Sequence, residues 1–60
     1  MSYYLIIMTV KGLLVLGGEM DEATCLRNAT RIIDRHNAEM SQQRRPTYYG
    51  LMGVHCEFLD

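Results

Sequence analysis

The sequence has few of the residues that build metal centres in small domains. Two cysteines and two histidines are scattered along its 60 residues, at Cys25, His36, His55 and Cys56. Structural zinc sites usually have paired ligands such as C-x-x-C or H-x-x-x-H, and the sequence contains neither spacing. We therefore expect no structural metal and no other cofactor.

Catalytic signatures are also missing. The sequence has no G-x-S-x-G segment, no phosphate-binding loop and no acidic pair with a defined spacing. His55 and Cys56 are adjacent, but adjacent residues of a strand point to opposite faces and cannot form a Cys–His pair. His36 is expected to be a partly buried helix residue. The sequence predicts a protein without enzymatic activity.

Charge and proline content limit the possible classes further. The formal net charge is −1, which argues against a general polyanion binder. Pro46 is the single proline, and there are no repeats or low-complexity linkers. We expect one domain that spans residues 1–60.

The longest apolar run covers residues 3–16 and is interrupted by Thr9, Lys11 and Gly12. A membrane-spanning helix needs about 20 apolar residues, and a signal peptide needs basic residues ahead of its apolar part. We expect neither here, and we expect a cytoplasmic location. Cysteines stay reduced in that compartment, so Cys25 and Cys56 are expected to be free thiols; the alternative is a disulfide between them.

The same run is better explained by strands. Residues 3–10 (YYLIIMTV) are rich in aromatic and β-branched residues and are apolar on both alternating faces, as in a strand covered on both sides. Lys11-Gly12 suits a hairpin turn, and residues 13–16 suit a short second strand.

A helix and a third strand follow. Asp21 is a suitable N-cap for a helix over residues 22–42, and residues 41–47 form a polar loop. Apolar residues recur at three- and four-residue steps and predict the buried stripe, namely Cys25, Leu26, Ala29, Ile32, Ile33, His36 and Met40. Residues 48–59 alternate as a strand, with Tyr48, Gly50, Met52, Val54, Cys56 and Phe58 on its core face. Gly50 and Gly53 indicate a bulge or close packing.

These elements predict an α+β fold in ββαβ order. The sheet has three antiparallel strands with the first strand central, and the helix covers one face. The other face is left bare, and large exposed apolar patches usually mark interaction sites. We expect self-association into a homodimer, a partner site, or both on this face, with Tyr3, Leu5, Ile7, Tyr49, Leu51 and His55.

Five of the six basic residues are arginines of the helix and its following loop: Arg27, Arg31, Arg35, Arg44 and Arg45. The three helical arginines are predicted to lie opposite the apolar stripe. One interpretation is a solvated helix face. The other is a surface that contacts an acidic protein or a nucleic-acid backbone.

Three features occur together in this sequence. They are a short hairpin, an acidic helix start followed by Cys (residues 21–29, DEATCLRNA) and a final strand with Cys (residues 48–58, YYGLMGVHCEF). In this it resembles small accessory proteins of bacteriophage and prophage early regions. The resemblance implies an inhibitor that occupies a host protein in the bacterial cytoplasm, as anti-CRISPR and other anti-defence proteins do. The alternative function is a nucleic-acid-binding regulator that uses the arginine surface.

Overall fold

The order of the elements follows the prediction. The computed structural model describes residues 2–59, with side chains up to residue 58. It contains β1 (Ser2–Thr9), β2 (Gly12–Met20), α1 (Glu22–Ser41) and β3 (Leu51–Leu59). The strands form one antiparallel sheet in the order β2-β1-β3, with α1 packed on one face. The predicted α+β fold with a central first strand is confirmed.

The hairpin between β1 and β2 turns one residue earlier than predicted. Thr9 faces Gly12 across the ladder, so Val10 and Lys11 make the turn. The Thr9 hydroxyl accepts a hydrogen bond from the Lys11 N–H at 3.1 Å and donates one to the Gly12 carbonyl at 3.1 Å. Threonine side chains form such local bonds readily, which fixes the turn at this position.

The second strand is longer than predicted, because its glycines accommodate a bulge instead of ending the strand. Tyr4 faces Gly17, but the preceding Tyr3 faces Met20, so β2 has extra residues at this point. Gly17 and Gly18 have φ values of 114° and 99°, in the range that favours glycine. The bulge carries β2 on to Met20, next to the start of the helix.

Asp21 caps the helix as predicted. Its Oδ1 accepts a hydrogen bond from the Thr24 N–H at 2.8 Å, and this contact with Thr24 holds the pKa of the Asp21 carboxyl below its usual value. At the other end, Gln43 has a φ of 57° and the Arg44 N–H donates to the Glu39 carbonyl. This left-handed residue ends the helix at Ser41, close to the predicted end.

The helix covers β1 and β3 and leaves most of β2 bare. Within residues 2–58 the buried hydrophobic side chains are Leu5, Ile7, Cys25 and Ala29. The partly buried residues packed against Leu5, Cys25 and Ala29 include Val54 and Cys56 of β3. From β2, Met20 joins this core. No helix within residues 2–59 has the length and hydropathy needed to cross a lipid bilayer.

The predicted buried stripe of the helix is too wide. Leu26, Ile33 and Met40 are exposed, although they share the helical spacing of the buried residues. An α-helix buries only the arc that faces its sheet, and these three lie on one flank of that arc. The core is therefore narrower than the apolar pattern of the sequence indicates.

Cys25 and Cys56 form a disulfide, so the expectation of free thiols is corrected. Cys25 lies in the first turns of α1, and Cys56 lies opposite Leu5 on the helix-facing side of the sheet. Their Cα atoms are 6.2 Å apart, within the range that a disulfide spans. The bond ties the helix to β3 beside the buried core.

We predict that losing this disulfide lowers the free energy of unfolding by about 3–4 kcal/mol, because it closes a loop with a sequence separation of 31 residues. Urea unfolding with and without reductant measures the loss. The Cys25→Ala/Cys56→Ala variant is the control and should not respond to reductant. Equal stability of the oxidised and reduced chain would contradict the prediction.

The third strand starts later than predicted and contains a bulge. Thr9 faces Leu51 and Met8 faces Gly53, so Met52 is an extra residue in the ladder. Its side chain is exposed instead of joining the predicted core face. The bulge lies between the two glycines of this segment, in agreement with the predicted meaning of Gly50 and Gly53.

Gly50 also fits a close approach between backbone segments. Its φ is 70°, its carbonyl accepts from the Val10 N–H at 3.0 Å, and a Cβ at this position would overlap the Val10 side chain. We predict that Gly50→Ala destabilises the fold by about 1–3 kcal/mol, from backbone strain and this overlap.

Gly53→Ala is the matched control, because its Cβ would meet only the flexible end of Met8 at 3.2 Å. Thermal unfolding of both variants gives the comparison. A larger loss in Gly53→Ala than in Gly50→Ala would show that the close approach at Gly50 is not a constraint.

Candidate partner-binding surface

Because α1 stops short of β2, a cleft of about 380 Å³ opens between them. Its lining is predominantly apolar, and its polar groups are Asn28, Arg31, Arg35 and Tyr48. The apolar residues come from the three elements around the cleft: Leu5 of β1, Leu16, Gly17 and Met20 of β2, and Ile32 of α1. We call this feature the α1–β2 cleft. It combines an apolar floor with a basic rim.

Two arginines give the rim its charge. Arg31 and Arg35 lie one helical turn apart on the flank of α1 that faces β2, and both are exposed. The Arg35 Nε is 3.5 Å from the Glu39 Oε2. Within residues 2–59, the Arg31 guanidinium forms no ion pair or side-chain hydrogen bond. Guanidinium groups stay protonated and match the geometry of carboxylates, so the rim is suited to recognise anionic groups.

Glu39 fixes the loop segment that carries Tyr48, one of the residues that line the cleft. Its two carboxylate oxygens accept hydrogen bonds from the Thr47 N–H and hydroxyl, each at 2.9 Å. The backbone N–H of Thr47 is the main reason why the pKa of Glu39 is lowered, and Arg35 adds to this effect. The clamp fixes the loop where Tyr48 reaches the cleft.

The structure divides the predicted arginine surface into separate sites. Arg31 and Arg35 border the α1–β2 cleft, whereas Arg27 donates to the Thr24 hydroxyl at 3.3 Å. The prediction placed Arg31 and Arg35 opposite the core stripe. That placement is wrong, because both lie beside the apolar floor.

Arg44 and Arg45 lie in the loop after the helix, in two other cavities. One is lined by Arg44 with His36, Met40, Gln43, Pro46, Tyr49, Gly50 and Leu51. The second, which we call the hairpin-end cluster, consists of Lys11, Arg45, Pro46 and Tyr49. In it the Lys11 ammonium is 5.8 Å from the centre of the Tyr49 ring, within the range of a cation–π contact.

The predicted self-association face is also corrected. Tyr3, Leu5 and Ile7 face the helix; Leu5 is 2% exposed, Ile7 is 0% exposed, and Tyr3 packs on the core and on the Phe58 ring. They cannot belong to a bare face. Leu51 contributes to the cavity beside His36, and Tyr49 precedes β3 in the connecting turn.

The face turned away from the helix, which we call the open face, carries the other residues of β1. These are Tyr4, Ile6 and Met8, with cross-strand partners Leu13, Val15, Gly53, His55 and Glu57. His55, from the predicted set, lies here and contacts the Glu57 carboxylate. Apolar side chains cover the β1 and β2 part of this face, and polar side chains cover the β3 part.

Sequence reasoning missed the α1–β2 cleft because the cleft depends on where the helix lies across the sheet. The signal that could have helped is the pair of cysteines. If Cys25 and Cys56 are placed together, the helix lies over β3 and the central strand, and β2 is left uncovered.

No protein-family model, curated protein or solved structure matches this chain. Within residues 2–59, no three His, Cys, Asp or Glu side chains are grouped closely enough to hold a metal ion.

We predict that Glu39→Gln lowers the melting temperature at neutral pH. The melting temperature of this variant should also decrease less than that of the parent chain as the pH falls. The pKa of Glu39 is lower in the folded chain than the usual value of about 4.3, so its contribution to stability is present above that value. It is lost as the pH falls through the folded pKa. Thermal melts of both chains between neutral pH and about pH 3 measure this difference.

Asp34→Asn is the control for this prediction, because Asp34 is exposed and its carboxylate forms no hydrogen bond or ion pair within the described residues. Its melting temperature should follow that of the parent chain at each pH. If Asp34→Asn and Glu39→Gln changed the acid dependence equally, the clamp on Thr47 would not be its cause.

Proposed function

We propose that this chain is a non-enzymatic binding protein, and that its α1–β2 cleft receives an acidic segment of a partner protein. The observation that carries the proposal is the basic rim of Arg31 and Arg35 above an apolar floor. Such a cleft can bury an apolar anchor of the partner and pair its carboxylates at the same time. Protein interfaces commonly combine these two kinds of contact.

The large amount of exposed apolar surface supports a binding role. Among residues 2–58, large exposed hydrophobic side chains outnumber buried hydrophobic residues by eleven to four. The exposed ones are Val10, Leu13, Leu14, Val15, Leu16, Leu26, Ile33, Met40, Tyr49, Met52 and Phe58. Single exposed hydrophobics are normal, but contiguous patches mark interaction sites. On β2, Leu14 and Leu16 are exposed on the helix side, where Leu16 lines the cleft, and Leu13 and Val15 are exposed on the open face.

The groups of the cleft favour occupancy over chemistry. Arginine cannot act as a general base at neutral pH, and Asn28 and Tyr48 supply hydrogen bonds. We therefore propose that the chain acts by blocking or recruiting its partner. The more specific proposal, a phage-type inhibitor of a host defence protein in the bacterial cytoplasm, is supported by the sequence resemblance alone.

Nucleic-acid binding is the second candidate function, and the hairpin-end cluster is the observation that favours it. Lys11, Arg45 and the exposed Tyr49 line a cavity of about 470 Å³. Arg44 is adjacent to Arg45 in the sequence and adds a further positive charge. Cations beside an exposed aromatic ring suit a single-stranded nucleic acid. The net charge of −1 favours the protein partner.

We predict that Arg31→Glu/Arg35→Glu weakens binding of an acidic amphipathic peptide by about 10- to 100-fold, because two exposed ion pairs, each contributing up to about 1 kcal/mol, are replaced by repulsions of similar size. The probe is a fluorescent peptide that alternates leucine and glutamate, measured by anisotropy. A leucine–lysine peptide tests charge selectivity and should not bind the parent chain.

Arg44→Glu/Arg45→Glu is the matched control, since it changes the same charge outside the cleft. It should leave the peptide affinity unchanged. Both double variants should keep the circular dichroism spectrum of the parent chain, although Arg31→Glu/Arg35→Glu should melt slightly lower because it loses the contact between Arg35 and Glu39. Unchanged peptide binding in Arg31→Glu/Arg35→Glu would exclude the cleft. Binding of a single-stranded oligonucleotide that falls steeply with salt and is lost in Arg44→Glu/Arg45→Glu would support the second candidate.

A further inference from the structure

We propose that β2 pairs with β2 of a second copy of this chain, antiparallel and centred on Val15, so that two sheets join into one. The strand is an edge of the sheet, because the order is β2-β1-β3. Leu13 and Val15 are 68% and 56% exposed on the open face, and Leu14 and Leu16 are exposed on the helix side. This pairing is independent of the function proposed above.

The two edges of the sheet differ in the way that the proposal requires. Proteins usually protect edge strands with charged side chains, proline or covering elements. β3 carries His55 and Glu57 on the open face, beside the exposed Met52 and Phe58, and α1 packs on its other face. β2 has no charged residue between Lys11 and Glu19, and the helix leaves residues 13–16 uncovered. Up to the bulge that begins at Gly17, the edge of β2 is therefore the one that is open to a further strand.

The backbone of β2 points the right groups outward. Neighbouring residues of a strand direct their N–H and C=O groups to opposite sides. Because the Val10 N–H donates to the Gly50 carbonyl, on the β3 side, the N–H and C=O groups of Thr9 point toward β2. Its cross-strand partner Gly12, and the residues in phase with it, form their bonds with β1. The N–H and C=O groups of Leu13 and Val15 therefore point away from β1, where a second strand can bond to them.

Charge complementarity selects the register. With Val15 opposite Val15 of the second copy, Leu13 lies opposite Gly17 and Leu14 lies opposite Leu16. Lys11 of the hairpin turn and Glu19 of the bulge then lie at the same end of the pairing, one from each copy, where their long side chains carry opposite charges. A shift by one residue would oppose outward and inward backbone groups, and a centre at Leu16 would place Leu13 opposite Glu19.

The two-fold axis of such a dimer is perpendicular to the sheet, because the paired strands are antiparallel and lie in one sheet. Both helices then lie on the same face. The two α1–β2 clefts open toward each other over a shared floor that includes Leu14 and Leu16 of both copies. The pairing uses none of the arginines of the rim.

Sedimentation at micromolar concentration tests the proposal. The parent chain should be a dimer, and Val15→Lys should be a monomer with an unchanged circular dichroism spectrum, because the Val15 side chain is more than half exposed. Leu26→Lys, an equivalent change on the exposed flank of α1, should leave the dimer intact. A monomeric parent chain or a dimeric Val15→Lys variant would overturn the proposal.

A charge exchange tests the register without touching the apolar residues. Lys11→Glu alone and Glu19→Lys alone should each weaken the dimer several-fold, and the two changes together should restore it. Single changes without effect, or a double variant weaker than either, would overturn the pairing centred on Val15.

Discussion

One helix cannot cover three strands, and this limit determines the rest of the structure. An α-helix with its side chains is about 10 Å wide, whereas three strands at about 4.8 Å spacing present a wider surface once their side chains are included. The disulfide between Cys25 and Cys56 places α1 over β3 and the central strand. Leu5 and Ile7 are buried beneath it, and β2 is left outside. The cleft and the bare edge are both consequences of this placement.

The sequence was sufficient to predict the element order, the central first strand and the Asp21 cap, because each depends on local patterns. It was not sufficient to predict which face of β1 meets the helix. In residues 3–10 both alternating sets are apolar, so periodicity gives no preference for Leu5 and Ile7 over Tyr4 and Ile6. The choice depends on the register of β1 against β3, and that register depends on long-range contacts.

The candidate site shows the same division between local and long-range information. The sequence identified the arginines as a group, but a helical projection alone placed Arg31 and Arg35 opposite the core. They lie beside the cleft because the sheet is offset under the helix, so a flank position borders apolar surface. The width of the apolar arc, which includes Leu26 and Met40, concealed this offset.

The disulfide also divides the chain into a covalent ring and a hairpin that lies ahead of the ring in the sequence. The ring consists of residues 25–56 and holds most of α1, the connecting loop and most of β3. The β1–β2 hairpin lies outside the ring, yet it supplies the central strand, so the sheet is completed by a segment that only non-covalent contacts hold beside β3. A backbone cut in residues 42–50 would leave a single covalent molecule, whereas a cut at Asp21 would separate the hairpin from the ring. The helix and β3 would remain joined without their central strand.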